Sequence, residues 1–435
     1  MKTSTRRQIQ ELVEASQRQL IEYVLEGGRI AVIKAPPGSG KTYLLMKVVQ
    51  AAKKMRVAIA TQTRAQSDDI CRRLMADFKI TPIRFAASGS AGASPCPVVT
   101  DKKELPHGPC VVVATSAKWG MIDLHDEFDV LFVDEAWQLA WADFMLLSQV
   151  AGRFVLIGDP GQIPPVVTID TGRWETAPRA PHMPAPDLVL QGRHKDLLPL
   201  DLPATRRLPF DTVDYIRPFY DFEFSAWAEP GDRAVRVSGK GKDAIDSAIE
   251  KLASGSVVAL TLPTPPEGPP LEDDQEVAEL AGKVAKRLLS REGQAIIAGK
   301  KIDLLPEHIG LCSTHRVMNA AMELHLPPAL RRKSNVDTPE RWQGLERPVM
   351  IIAHPLSGVV EPSAFDLETG RLCVMASRHQ AGLIIVTRDH VSDTLDSHLP
   401  SAEQPVGRPD VAGQGHQQNR KFWDTLLRGD RVVAL

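Results

Sequence analysis

The stretch KAPPGSGKT, residues 34–42, limits what this chain can fold into more than any other nine residues in it. It follows a short apolar run, RIAVIKA (29–35), and precedes a helix-period stretch, TYLLMKVVQAAKKM (42–55). The pattern is that of a phosphate-binding loop, GxxxxGK[ST], except that Ala35 stands at the first position. Such a loop turns its backbone N–H groups inward on an anion, which needs small residues and unusual dihedrals, here at Gly38 and Gly40. Ala35, Pro36, Pro37, Ser39 and Tyr43 complete the cradle, Lys41 can reach the β and γ phosphates of a nucleotide, and the Thr42 hydroxyl can hold Mg²⁺. A strand must deliver the loop and a helix must receive the phosphates at its N-terminus, so the motif demands an α/β fold.

The rest of the chain meets that demand. Apolar runs recur as RVAIAT (56–61), CVVVAT (110–115), VLFVDEA (130–136) and FVLIGD (154–159). They are continuous rather than alternating, as strands covered on both faces of a parallel sheet should be. Helix-period stretches lie between them, which gives the alternation of a doubly wound sheet. Residues 160–205 shift to Pro, Arg and His and read as a surface excursion or linker. A second α/β series follows, with VVALTLP (257–263), HIGLCST (308–314), RPVMIIAHP (347–355) and LCVMASRHQAGLIIVTRD (372–389). The expected division is 1–205 for one domain, 206–397 for a second, and 398–435 for a flexible tail with a short helix.

In VLFVDEAWQ the strand carries Asp134 and Glu135 to its C-terminal edge, where parallel sheets bind ligands. Asp134 would hold Mg²⁺ and Glu135 would orient and deprotonate an attacking water, so the adjacent pair points to hydrolysis of ATP. Five scattered cysteines without a CxxC pair suggest neither a disulfide framework nor a zinc site, and a reducing cytoplasm is the expected setting. The N-terminal MKTSTRRQIQELVEASQRQL is basic and then amphipathic, and no run of about twenty apolar residues occurs, so neither export nor membrane insertion is expected. A net charge of −2 leaves nucleic-acid binding open, since a local basic channel is invisible in that sum.

From DEAWQ through LIGDPGQIPPV the sequence resembles superfamily 1 helicases, most closely the branch that includes the RNA-surveillance and Okazaki-fragment-processing helicases, over about residues 16–388. The resemblance implies two tandem RecA-like domains, each a mostly parallel sheet flanked by helices, with ATP hydrolysed between them. It also implies residue roles. Gln17 of SQRQL, with Gln19 second, corresponds to the adenine-reading glutamine. Gly158, Asp159 and Gln162 match the third motif, whose glutamine contacts the γ phosphate. In LPATRRLP, Arg206 aligns better than Arg207 with the family's next arginine. Gln343, Gly344 and Glu346 stand as in QGxE at the nucleotide, and Arg378 of MASRHQAGLIIV as the arginine finger.

The same resemblance assigns strand-backbone contacts to Thr61, Gln62 and Thr63, to Thr115 and Ser116, to Ser313 and Thr314, and to Thr338. Trp119, Trp137, Trp174 and Trp342 lie near these motifs and read as core packing rather than as base platforms. The expected protein is a minimal helicase or translocase acting on single-stranded DNA or RNA. Its segment between the phosphate loop and VLFVDEA, 88–109, is short where larger relatives carry duplex-splitting insertions. That departure keeps a second reading open, a nucleic-acid-stimulated ATPase that clamps or remodels a partner without processive unwinding. A protein partner would engage 160–200 or the tail.

Overall fold

A computed structural model describes residues 2–89, 94–125, 127–168, 170–174, 176–192, 194–268, 273–332, 336–398 and 410–435. The chain forms two units, the first comprising 1–160 and 164–204, the second 161–163 and 205–435.

The first unit is built on strands β1 (Ile30–Lys34), β2 (Arg56–Thr61), β3 (Ile83–Phe85), β4 (Val98–Val99), β5 (Cys110–Thr115), β6 (Val130–Asp134), β7 (Phe154–Gly158) and β8 (Leu197–Asp201). They form one sheet in the order β4-β3-β5-β2-β6-β7-β1-β8, with every pairing parallel. Helices α1 (Lys2–Leu25), α2 (Lys41–Ala51), α3 (Arg64–Phe78), α4 (Ser116–Gly120), α5 (Trp141–Leu147) and α6 (Ala185–Gln191) connect and cover it. Two apolar layers result. Ile33, Ile59 and Phe132 face the layer with Leu20, Leu45 and Leu74, while Val32, Ala58 and Leu131 face the layer with Trp119 and Phe144. This two-sided burial is why the strands read as unbroken apolar runs. The Pro-rich region after 160, expected as an excursion, supplies α6 and the edge strand β8, which pairs with β1 from Ile30↔Leu197 to Lys34↔Asp201. Leu200 and Leu202 there are buried, which ties the segment to the core.

In the second unit a two-stranded ribbon, β9 (Ala204–Thr205) and β10 (Ser225–Ala226), precedes β11 (Ala234–Arg236), β12 (Val257–Leu262), β13 (Gln294–Ile297), β14 (Lys300–Asp303), β15 (Ile309–Cys312), β16 (Val336–Asp337), β17 (Arg347–Ala353), β18 (His379–Arg388) and β19 (Val432–Ala434). The main sheet runs β16-β15-β17-β18-β12-β19 and is parallel throughout; β11, β13 and β14 form a small antiparallel sheet. The helices are α7 (Thr212–Ile216), α8 (Ala244–Lys251), α9 (Gln275–Ser290), α10 (Arg316–His325), α11 (Pro328–Arg332), α12 (Pro339–Trp342), α13 (Thr369–Ala376), α14 (Val391–Ser397) and α15 (Val411–Arg428). In α9, Val277, Leu280, Ala281, Val284 and Leu288 recur at helical spacing and are buried, and the Asp274 side chain caps the first turn. Among the described residues no helix is long and apolar enough to cross a membrane.

The expected flexible tail needs correction. Residues 399–409 lie outside the described residues, but from Val411 onward the chain is an 18-residue helix followed by a strand paired in parallel with β12. Phe422, Trp423 and Leu426 enter the core, and Phe422 stacks edge-on against Tyr215 and Phe219. Their burial outweighs the helix-poor Gly and Asn content of the surrounding sequence. Phe422→Ala is expected to lower stability by about 3–5 kcal/mol, a cost of cavity formation. Urea unfolding followed by tryptophan fluorescence measures it.

Candidate nucleotide site

The phosphate loop leaves the buried end of β1. Ala35 N–H donates to the Gly158 carbonyl at 2.8 Å, and the Ala35 methyl is fully buried, so this position serves as the hinge between loop and sheet. Gly38 and Gly40 have φ of 70° and 84°, the left-handed region that side chains disfavour. Gly40 is the N-cap of α2 and offers no side-chain oxygen, so the first N–H groups of that helix remain available to an anion. Ser39 Oγ is buried with no hydrogen-bond partner. An open helix start, a cationic side chain and an orphaned hydroxyl fit a bound phosphate.

Facing the loop, β6 ends in the acidic pair. Asp134 is buried, and its Oδ1 accepts from the Glu135 N–H at 3.0 Å. Burial, and then the Glu135 charge, push the Asp134 carboxyl up to about 7, with Lys41 opposing. Glu135 adopts φ 53°, a left-handed conformation costing a non-glycine residue about 1 kcal/mol or more. That turn aims its carboxylate at the loop, where Oε1 lies 2.8 Å from Lys41 Nζ. The turn is packed tightly from below, because a Cβ on Gly158 would come within 2.8 Å of the Ala136 nitrogen. Only glycine at the end of β7 allows this approach. Thr42, half-buried on the first turn of α2, and Asp134 are the residues here that could hold a divalent cation. Among the described residues no cluster of three or more His, Cys, Asp or Glu forms a metal cage.

In the second unit the arginines separate. Arg206 is exposed, with its guanidinium 4.3 Å from the Trp227 ring centroid. Its neighbour Arg207, the second choice from sequence, is half-buried and bonds Glu346 Oε2 at 2.5 Å. Gln380 donates to the other Glu346 oxygen at 2.6 Å. Burial pushes the Glu346 carboxyl up, but Arg207, Gln380 and Arg378 outweigh it and hold it below the usual range. Gly344 has φ 80°, which turns the chain between Gln343 and Glu346. Arg378 is buried and donates through Nε to the Val374 carbonyl at 3.1 Å. Gln162 belongs to the second unit, where a Cβ on Gly370 of α13 would lie 2.7 Å from its carbonyl oxygen.

Residues 12–189, which hold the loop and the acidic pair, match the family described as the AAA domain. That match covers 178 of the 435 residues. No curated protein matches it in sequence. Among solved structures, similarity extends to the PRRSV helicase, at 17% identity and TM-score 0.45, covering 87% of this chain and 56% of that one. Arterivirus nonstructural protein 10, a helicase, aligns at 15% identity and TM-score 0.47, over 86% of this chain and 63% of that one. Its complex with DNA aligns at 16% identity and TM-score 0.45, over 86% and 65%. The chain thus spans less than two thirds of the length of these structures.

Other expected site residues make local contacts within the fold. Gln17 accepts from Lys47 Nζ of α2 at 3.2 Å, and Tyr43, half exposed, packs on Phe78. The Thr61 hydroxyl bonds Ser67 Oγ at 2.6 Å, while Thr63 and Gln66 form the capping box of α3. Thr115 caps α4, and Ser116 Oγ donates to the Thr61 carbonyl at 3.3 Å. Ser313 is locked by reciprocal bonds with the Asn319 amide, both 2.9 Å, and Thr314 is half-buried beside it. Thr338 starts α12 without a side-chain cap bond. Trp119, Trp137 and Trp342 are core residues whose indole N–H groups bond Ile59 O, Asp187 Oδ1 and Leu311 O, while Trp174 lies under Arg173.

The Asp134 environment carries a stability consequence. Its folded pKa lies above the ordinary 3.8, so as pH rises from about 4 to about 7 the unfolded chain ionises before the folded one, and the metal-free protein loses stability. Asp134→Asn removes that burden. Thermal unfolding without metal is expected to show the variant more stable than the native protein at pH 8, with the difference vanishing near pH 4.

Proposed function

We propose that the protein hydrolyses ATP and uses the cycle to move along single-stranded DNA or RNA. The observation that carries the catalytic part is the Lys41–Glu135 contact at 2.8 Å, across the mouth of a phosphate loop whose helix start is open. Lys41 here neutralises the acid that would otherwise repel a triphosphate. On nucleotide binding its ammonium turns to the phosphate oxygens, which frees Glu135 to accept a proton from the attacking water. Asp134 and Thr42 would hold Mg²⁺, which when bound neutralises charge on the phosphates. Ionisation of Asp134 is favoured once a cation faces it, since the metal adds the counter-charge that burial denies it.

Gln17 is the proposed adenine reader, with Arg378 as arginine finger and Gln162 as γ-phosphate sensor. For the remaining arginine, the ion pair with Glu346 commits Arg207 to the second unit's own framework. Arg206, exposed and with its guanidinium over Trp227, is the one proposed to turn to a ligand. The backbone groups beside Thr61, Thr63, Thr115, Ser116, Thr314 and Thr338 are the proposed strand contacts, because most of the hydroxyls themselves are engaged locally.

Two measurements test this reading. Glu135→Gln is expected to cut ATP turnover by roughly 10²–10⁴-fold while nucleotide binding persists, and unchanged turnover would overturn the assignment. Turnover of the native protein is expected to rise with single-stranded DNA or RNA, and displacement of a tailed duplex then separates a motor from a clamp. Arg206→Ala is expected to lower turnover with little change in melting temperature, whereas Arg207→Ala lowers the melting temperature through the unpaired Glu346; differential scanning fluorimetry beside the turnover assay reads both.

A further inference from the structure

Trp119, Trp137 and Trp342 are core residues, as read from the sequence, yet the second unit holds an aromatic side chain at its surface. Phe365 is 43% exposed. The Arg371 guanidinium lies 4.0 Å from its ring centroid, and the His315 imidazole stands 5.5 Å away at an interplanar angle of 39°. The cation is anchored in turn, since Arg371 donates to Glu340 Oε1 at 3.3 Å and to the Phe365 carbonyl at 3.2 Å and forms an ion pair with Glu368 Oε2 at 3.2 Å. The loop backbone is fixed as well, with Ser363 N–H donating to Asp366 Oδ2 at 2.9 Å and Leu367 N–H to the Ser363 carbonyl at 3.1 Å. A large apolar ring is therefore held at the surface against a cation and an imidazole.

Its position is specific. His315 directly follows Ser313 and Thr314 at the C-terminal end of β15, and Glu340, which anchors Arg371, lies two residues after Thr338 at the start of α12. The ring thus lies between two segments proposed above to touch the phosphate backbone, at the sheet edge where parallel sheets bind ligands.

We propose that Phe365 and His315 form a stacking platform for an unpaired nucleobase of single-stranded DNA or RNA. Every base has a π face, so the platform tolerates any sequence, and it excludes a base whose faces are covered by duplex neighbours. The Arg371 cation beneath the ring adds cation–π attraction and keeps the ring from turning inward. The proposal rests on the nucleic-acid reading above and deepens it from backbone to base.

The test uses the full chain and fluorescence anisotropy with labelled dT and U oligonucleotides and their counterparts carrying a central run of abasic sites. Phe365→Leu keeps the apolar contact with Arg371, removes the aromatic face, and is expected to bind the intact strands about 5- to 100-fold more weakly, whereas Phe365→Trp binds them as the native protein does. The abasic run is expected to weaken the native protein and to leave the leucine variant unmoved, a coupling that mere loss of folding cannot mimic. Native-like binding by the leucine variant, or equal sensitivity of both proteins to the abasic run, overturns the platform alone. Failure of the native protein to bind any strand overturns the nucleic-acid reading together with it.

Discussion

The ion pair between Lys41 and Glu135 is where the architecture of the first unit converges. Neither partner reaches it from a regular backbone: Lys41 follows a loop with two left-handed glycines, and Glu135 itself sits in left-handed space at the end of β6. Both distortions are held by the parallel sheet, since β1 and β6 each pair with β7 and so cannot shift independently. The strain is affordable because it sits on a core sealed on both faces. A charge pair this isolated from water also leaves Asp134 with little compensation, and its raised pKa records that cost.

The first unit was legible in the sequence to an unusual degree. Gly38, Gly40 and Lys41 have a spacing that few other structures require, and strands buried on both faces announce themselves as unbroken apolar runs. The hydroxyl motifs were less legible. Thr63, Thr115 and Ser116 are residue types that suit phosphate contact and helix capping equally, and their side chains cap α3, cap α4 and bond a carbonyl. For adjacent Arg206 and Arg207 the motif spacing favoured Arg206, but the partner that engages Arg207, Glu346, lies more than a hundred residues away and is invisible to a local pattern. Helix α15 was hidden for another reason. Its buried Phe422, Trp423 and Leu426 stand in a stretch rich in Gln, Asn and Gly, so composition suggested a loose tail while three side chains decided otherwise.

Polar groups in the second unit do work that sequence motifs do not advertise. Glu346 joins Arg207 to Gln380, and so links the end of the β9–β10 ribbon region to β18. Arg388, buried at the end of β18, bonds both oxygens of Asp274, the residue that also caps α9. A buried pair of this kind is secure only when all its lone pairs are used, and here the cap and the guanidinium use them together. Helix α9 is thereby tied to the central strand that follows Arg378.

The parallel pairing of β19 with β12 has a bearing on how the protein is made. Residues 432–434 lie beside 259–261, so the second sheet is closed by segments that leave the ribosome about 170 residues apart. The first unit has all its strands once residue 201 has emerged. The second must wait, with the apolar faces of Tyr215 and Phe219 uncovered, until Phe422 arrives to stack on them. Its contacts are of long sequence separation, a property that slows folding and prolongs exposure of apolar surface. During synthesis, then, a finished first unit is tethered to an incomplete partner, and residues 411–434 are the ones that end that interval.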